Sequence, residues 1–150
     1  MKHWNELEQS IFFNKVFSNL INIGAINLFS LQIENDRPSL GIGFDIPQFP
    51  DKLPEKWKSK GYNMCRIGLE CSGISDLLIK NIPTSEILNI EIEEFQGDFQ
   101  FSATSATSLI QFKARHIYLD GPNVYLCEQN SFDIFTKRQE GHASETLKSQ

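Results

Sequence analysis

From Ala25 onward the apolar residues of this chain recur at every second position: Leu40, Ile42, Phe44 and Ile46; Cys65, Ile67, Leu69 and Cys71; Ile90 and Ile92; Phe99, Phe101 and Ala103. Such alternation gives an extended segment one apolar and one polar face, because successive side chains of a strand point to opposite sides. It predicts half-buried antiparallel strands over Ala25–Glu34, Leu40–Ile46, Asn63–Cys71, Ser75–Ile79, Leu88–Phe95, Phe99–Ala103 and Leu109–Leu119. Turn-forming residues separate them, notably Asn35-Asp36-Arg37-Pro38-Ser39 and Gln96-Gly97-Asp98. Only the amino terminus keeps another period. Trp4, Leu7, Ile11, Phe12 and Val16 form a helical stripe, with Asn5 as a candidate cap, so one amphipathic helix is expected over Trp4–Phe17. The expected class is α+β, mainly β: a twisted antiparallel sheet or two-layer β-structure with the N-terminal amphipathic helix packed on it. Residues 1–135 read as a single domain, and 136–150, which lose all periodicity, as a flexible C-terminal tail.

Charge and cysteine usage narrow the function. Nineteen acidic against fourteen basic residues give a net charge of -5, the wrong sign for gripping a phosphate backbone, so nucleic acid is not expected as a partner. The three cysteines, Cys65, Cys71 and Cys127, have no zinc or redox spacing. Cys65 and Cys71 share a strand face roughly 20 Å apart at the usual strand rise, too far to bridge. They read as small buried hydrophobes of a reducing compartment. The opening MKHWNELEQS has no apolar signal core and no run approaches a membrane span, so the expectation is a cytoplasmic protein, monomer or weak dimer, away from membranes.

No catalytic, metal or cofactor site is expected. His3, His116 and His142 are scattered, without a local ligand pair. The hydroxyl-rich run Ser102 to Ser108 lacks the G-x-S-x-G elbow of a serine nucleophile, and Gly41-x-Gly43 lacks the third glycine of a dinucleotide cradle. The acidic residues are more informative. Glu91 and Glu93 alternate with Ile90 and Ile92, so both carboxylates face outward together, at about 7 Å by the strand rise. With Glu94, of opposite parity, and Asp98 they form a candidate acidic docking face. The crossover from Asp45 to Asn63 is stiffened by Pro47, Pro50 and Pro54. Its Phe49, Leu53 and Trp57 read as apolar plugs for one end of the sheet, Trp57 as a largely buried one. The other reading makes Phe49, Trp57 and Tyr62 a binding lip.

That crossover carries a resemblance. The pattern F-D-I-P-x-F-P-D-x-x-P-x-K-W-x-x-x-G-Y-N, Phe44 to Asn63, resembles the immunity protein 50 family of bacterial polymorphic toxin systems. W-N-E-L-E-x-S-x-F-F-N-K at Trp4 to Lys15, G-I-x-D-L at Gly73 to Leu77 and I-x-F-K at Ile110 to Lys113 are similar to that family in the same order. The resemblance implies a cytoplasmic antidote without enzymatic activity that binds a cognate toxin domain, for which a basic toxin would suit the acidic chain. Two readings from other classes stand beside it. One is a small-ligand module with an apolar, Phe-lined pocket between helix and sheet; the other is a small hydrolase built from Glu91 or Glu93 with His116.

Overall fold

The alternating segments pair as eight strands: β1 Ala25–Glu34, β2 Ser39–Ile46, β3 Met64–Ser72, β4 Ser75–Lys80, β5 Leu88–Phe95, β6 Asp98–Thr104, β7 Leu109–Ala114 and β8 His116–Tyr125. The computed structural model describes residues 1–128; the tail expected over 136–150 and His142 lie outside the described residues. The strands form one antiparallel sheet in the order β4-β7-β6-β5-β1-β2-β3-β8. β1 is shared between two ladders. Ala25 and Ile26 pair with Asn89 and Leu88 of β5, whereas Asn27 to Glu34 pair with β2.

One hydrophobic cluster takes Ile90, Ile92, Phe101, Ala103 and Phe112 from one half of the sheet and Ile42, Phe44, Ile67, Leu69 and Leu119 from the other. Both apolar faces therefore meet in a single core, and the sheet bends over at β1 into a two-layer β-structure, as the alternation implied. The ring pairs inside are close: Phe101 stacks on Phe112 with centroids 4.6 Å apart, and Trp4 tilts against Phe44 at 5.2 Å. Between β5 and β6 the turn Gln96-Gly97 has φ of 53° and 84°, the two left-handed residues of the tight turn that suits strand twist.

The expected helix over Trp4–Phe17 is much shorter. A 3-10 turn, Trp4–Glu6, and a helix α1, Ile11–Val16, are separated by Gln9 at φ 63°. The segment between them is recruited as cover for β8, an edge strand: the Glu8 carbonyl accepts the Leu119 N–H at 2.9 Å. An open strand donor is costly to leave unpaired, and satisfying it outweighs a short run of extra helix. Ile11, on the predicted apolar stripe, is left 74% exposed. Nor is Asn5 a cap. Its Oδ1 accepts the Ile21 N–H at 2.7 Å and its Nδ2 donates to Asn14 Oδ1 at 2.7 Å, tying the amino-terminal turn to the strand approach.

The strand expected over Leu109–Leu119 is two strands. β7 pairs with β6 and β4, β8 pairs with β3, and the chain crosses between the halves at Arg115, whose N–H donates to Ser72 O at 2.9 Å. The trace lies in the sequence: Ile110, Phe112 and Ala114 step by two, then Ile117 comes three residues on, so the inward parity flips at the crossing.

The proline-stiffened crossover docks on the core. Phe49 and Trp57 are half-buried against it, and Trp57 meets Phe12 edge-on at 5.6 Å. The loop is pinned to the end of α1 by the Ser18 N–H, which donates to Asp51 Oδ1 at 2.9 Å, and by Lys52 N–H, which donates to Val16 O at 3.0 Å. Trp57 is thus a cover over the core edge rather than an interior plug. The expected cost of Trp57→Ala is about 2–3 kcal/mol, below the roughly 3–5 kcal/mol expected for Phe44→Ala at a fully buried ring. Urea denaturation of both variants checks the order.

Candidate functional site

On the outward face of β1, β2, β3 and β8 the register sets up a grid. Asp45 of β2 pairs with Arg66 of β3, which pairs with Asn123 of β8; the next outward row is Gly43, Gly68 and Asp120, and the next Gly41, Glu70 and Tyr118. Opposite Gly43 the β1 ladder is bulged: its register shifts between Leu28 and Ser30, and Phe29 is the extra residue. The bulge turns the Phe29 ring over Gly43, where a Cβ would lie 2.5 Å from the ring, so a side chain there would have to displace it.

At one end of this face Asp45 is buried although it lies on the outward side. Arg66 Nε donates to its Oδ1 at 2.9 Å, and the Tyr125 hydroxyl donates to its Oδ2 at 2.6 Å. Arg66 Nη2 also donates to the Tyr125 hydroxyl oxygen at 3.0 Å. The guanidinium carbon sits 3.6 Å from the Phe29 ring centre and 4.5 Å from that of Tyr125, so a cation is held by two rings as well as by its counter-ion. Burial and the Asp45 carboxylate push the Tyr125 hydroxyl well above its ordinary range. Phe29 and Arg66, the latter held by Asp45, thereby form one edge of an open concavity of about 220 Å³.

The acidic candidates lie on the other half of the sheet, all but Glu94 on the outer surface of β5 and β6. Glu91 and Glu93 are exposed, paired with Ser102 and Gln100, while Ile90 and Ile92 point into the core. Asp98, paired with Phe95, continues their row at the hairpin; Glu94, paired with Phe99, is exposed on the opposite face. The β1–β5 ladder stops after Asn89, and beside Glu91 and Glu93 an open hollow of about 500 Å³ is walled by Met1, Lys2, Asn22 and Ile23. Phe49, Trp57 and Tyr62 are all half-buried, the first two as core cover.

Other candidates resolve into structural roles. His116 stacks on Tyr118 and stands 3.9 Å from the Glu8 carboxylate, while Glu91 and Glu93 lie on β5, in the other half of the sheet, so the hydrolase grouping is not brought together. Among the described residues no three His, Cys, Asp or Glu gather as a metal site, and no helix is long and apolar enough to cross a membrane. Burial pushes the Cys65 and Cys71 thiols up to about 12, which keeps them protonated and unreactive at neutral pH. The phenylalanines that a ligand pocket would need pack on one another, Phe13 against Phe17 at 4.5 Å among them.

The hydroxyl-rich run is held by a residue that the sequence reading passed over. The Glu86 carboxylate accepts from the hydroxyls of Ser105 and Thr107 at 2.7 Å and of Ser108 at 2.5 Å, and these bonds hold its pKa below the usual value. Three hydroxyls within four residues of a turn were the available signal; the acceptor, some twenty residues earlier, was not.

The sequence matches the family model described as Immunity protein 50 over residues 10–125, a span from Ser10 through the end of β8 that includes all eight strands. No curated protein and no solved structure matches the chain.

Two outcomes follow from the packing. Asp45→Asn removes the counter-ion of Arg66; since Arg66 keeps some solvent contact, the loss should be about 2–3 kcal/mol, at the lower edge of what breaking a buried pair costs, read as a lowered urea midpoint. Glu86, with its folded pKa depressed, contributes stability that is complete above its unfolded pKa and is lost as pH falls through the folded one. Between about pH 5 and pH 2 the wild type should therefore lose stability more steeply than Glu86→Gln, as followed by denaturation at each pH.

Proposed function

We propose that this chain, which belongs to the immunity protein 50 family, binds a toxin domain directly and neutralises it in the cytoplasm of the cell that makes both. The observation that carries the physical side of this reading is the outward row of Glu91, Glu93 and Asp98 in a chain of net charge -5. Inhibition needs no chemistry from the inhibitor. It needs a complementary surface over an active site, typically about 800 Å² on each partner. A rigid two-layer β-structure presents such a surface without paying to order it on binding.

The row favours a basic toxin. Aligned charges on one face raise the rate of encounter with an oppositely charged surface more than they raise the strength of the final complex. Glu91 and Glu93 make no ion pair among the described residues, although Lys2 walls the same hollow. Lys113, the nearest outward cation in the register, pairs with Asp76 at 3.5 Å.

Glu91→Lys with Glu93→Lys should slow association with the toxin domain encoded beside this chain and flatten its salt dependence, with the fold unchanged because exposed substitutions cost little stability. Stopped-flow association at low and high salt checks the rate, and survival on co-expression checks protection. Unchanged rates remove the row from the interaction; no binding and no protection by the wild type would overturn the immunity reading.

A further inference from the structure

Gly41 and Gly68 stand at the centre of the outward grid, where strand positions ordinarily carry side chains; Gly68 borders the register irregularity of the β3–β8 ladder, whereas Gly41 lies in a regular stretch of the β2–β3 ladder. A Cβ on Gly68 would find its nearest neighbour, the Ile42 carbonyl, at 3.5 Å, an ordinary contact, and one on Gly41 would meet only the movable end of Glu70 at 3.3 Å. Neither has a left-handed backbone. Glycine in a strand interior weakens the strand and marks a bulge, a bend or the close approach of a ligand or another backbone; at Gly41, where the ladder is regular, it is the close approach that accounts for it. Gly41 and Gly68 leave a bare floor, closed on one side at Gly43, paired directly to Gly68, by the Phe29 ring lying over it.

The walls define what fits. Phe29 and Gln32 rise from β1 and Asp120 from β8, with Arg66 and Glu70 at the ends, around about 220 Å³. That is below the range of about 300–1,000 Å³ typical of small-molecule pockets, and is the scale of one inserted side chain. The charge is acidic. Arg66 is neutralised by Asp45 at 2.9 Å, whereas the exposed Glu70 and Asp120 take part in none of the ion pairs of the described residues. Their carboxylates overhang the floor, Glu70 Oε1 at 3.3 Å from the Cβ position of Gly41 and Asp120 Oδ2 at 3.9 Å from that of Gly68.

We infer that this trough anchors a lysine or arginine side chain of the protein partner, its aliphatic stem on the glycine floor beside Phe29 and its charged head between Glu70 and Asp120. The inference rests on the toxin-binding reading and names where the toxin is held. The Glu91–Glu93 row lies on the outer surface of the other layer; the trough is where the partner is retained. The Asp45–Arg66–Tyr125 cluster fixes the Phe29 wall before the partner arrives, so little ordering is left for binding.

Two variants test it against the toxin domain encoded beside this chain: Glu70→Gln with Asp120→Asn removes the charge without changing shape, and Gly68→Val fills the floor. Each should raise Kd at least tenfold, carried by faster dissociation, while Glu91→Lys with Glu93→Lys acts on association. Gly68→Ala, whose added atom meets only ordinary contacts, stands in if the valine variant does not fold. If the wild type binds and these variants keep its Kd, the trough is wrong and the immunity reading survives. If the wild type does not bind, the immunity reading fails, and the trough is decided by titrating the whole chain with N-acetyl-arginine amide. Amide shifts at Gly41, Gly43 and Gly68 that vanish in Glu70→Gln with Asp120→Asn keep it as a basic-side-chain site; no such shifts overturn it.

Discussion

β1 has to satisfy two partners at once, and the rest of the molecule follows from how it divides its length. Only Ala25 and Ile26 are given to β5; everything from Asn27 on is given to β2. Two residue pairs are too few to hold the two four-stranded halves flat, and the twist of a long strand rotates one half against the other. The apolar faces of both halves then close on each other, which places Ile90, Ile92 and Phe101 in the same core as Ile42, Phe44 and Leu69. The same strand absorbs the geometric mismatch by a bulge at Phe29, and that bulge aims an aromatic ring across the outward face. Core and candidate site thus depend on one strand.

The outward face is unusual in holding a buried carboxylate. A charge removed from water is tolerable only with a partner and with its remaining acceptor capacity filled. Asp45 meets both conditions through Arg66 and Tyr125, residues brought from β3 and β8. Such a cluster adds little net stability over an apolar substitute, since desolvation offsets the attraction. What it does supply is position: the guanidinium sits at a set distance from Phe29, and Met64 beneath the same end of the face is buried although it does not belong to the main core cluster. A feature that contributes geometry more than stability is what a binding face requires.

How much of this could be read from the sequence depends on the range over which each signal acts. Strand parity is local, so Glu91 and Glu93 outward with Ile90 and Ile92 inward was legible, as were the limits of β1 and β5. The amino-terminal helix is there but was read too long, because its stripe is local while the competitor, the open edge of β8, lies more than a hundred residues away. The β7–β8 crossing left a trace in the step from Ala114 to Ile117, and the β1 bulge left one in the adjacent apolar pair Leu28-Phe29, yet either trace also fits an irregular strand. The Asp45–Arg66–Tyr125 cluster left none. Its members span eighty positions, and only the strand order puts them together. Gly41 and Gly43 were visible as outward residues, but without Gly68 across the ladder they described gaps rather than a floor.

The acidic row and the trough, on the outer surfaces of the two layers, differ in what they can discriminate. At physiological ionic strength exposed charges act over about 8 Å, and within that range a row of carboxylates attracts any basic surface, right or wrong. Charge alone therefore cannot give a protein of this kind a single partner. Discrimination among basic partners has to come from shape, because a site rejects what it cannot accommodate more sharply than it rewards what it attracts. The glycine floor supplies a shape with a definite depth. Phe29 lies over Gly43 and closes that side, while Gly41 and Gly68 leave room for one chain between Glu70 and Asp120. A partner with a basic side chain at the right height reaches both carboxylates; one with a flat basic surface reaches neither without leaving the floor unfilled. Related interfaces differ mostly in how fast they come apart, so the residues that distinguish one partner from another should be those of the trough, and the acidic row should be common to all of them.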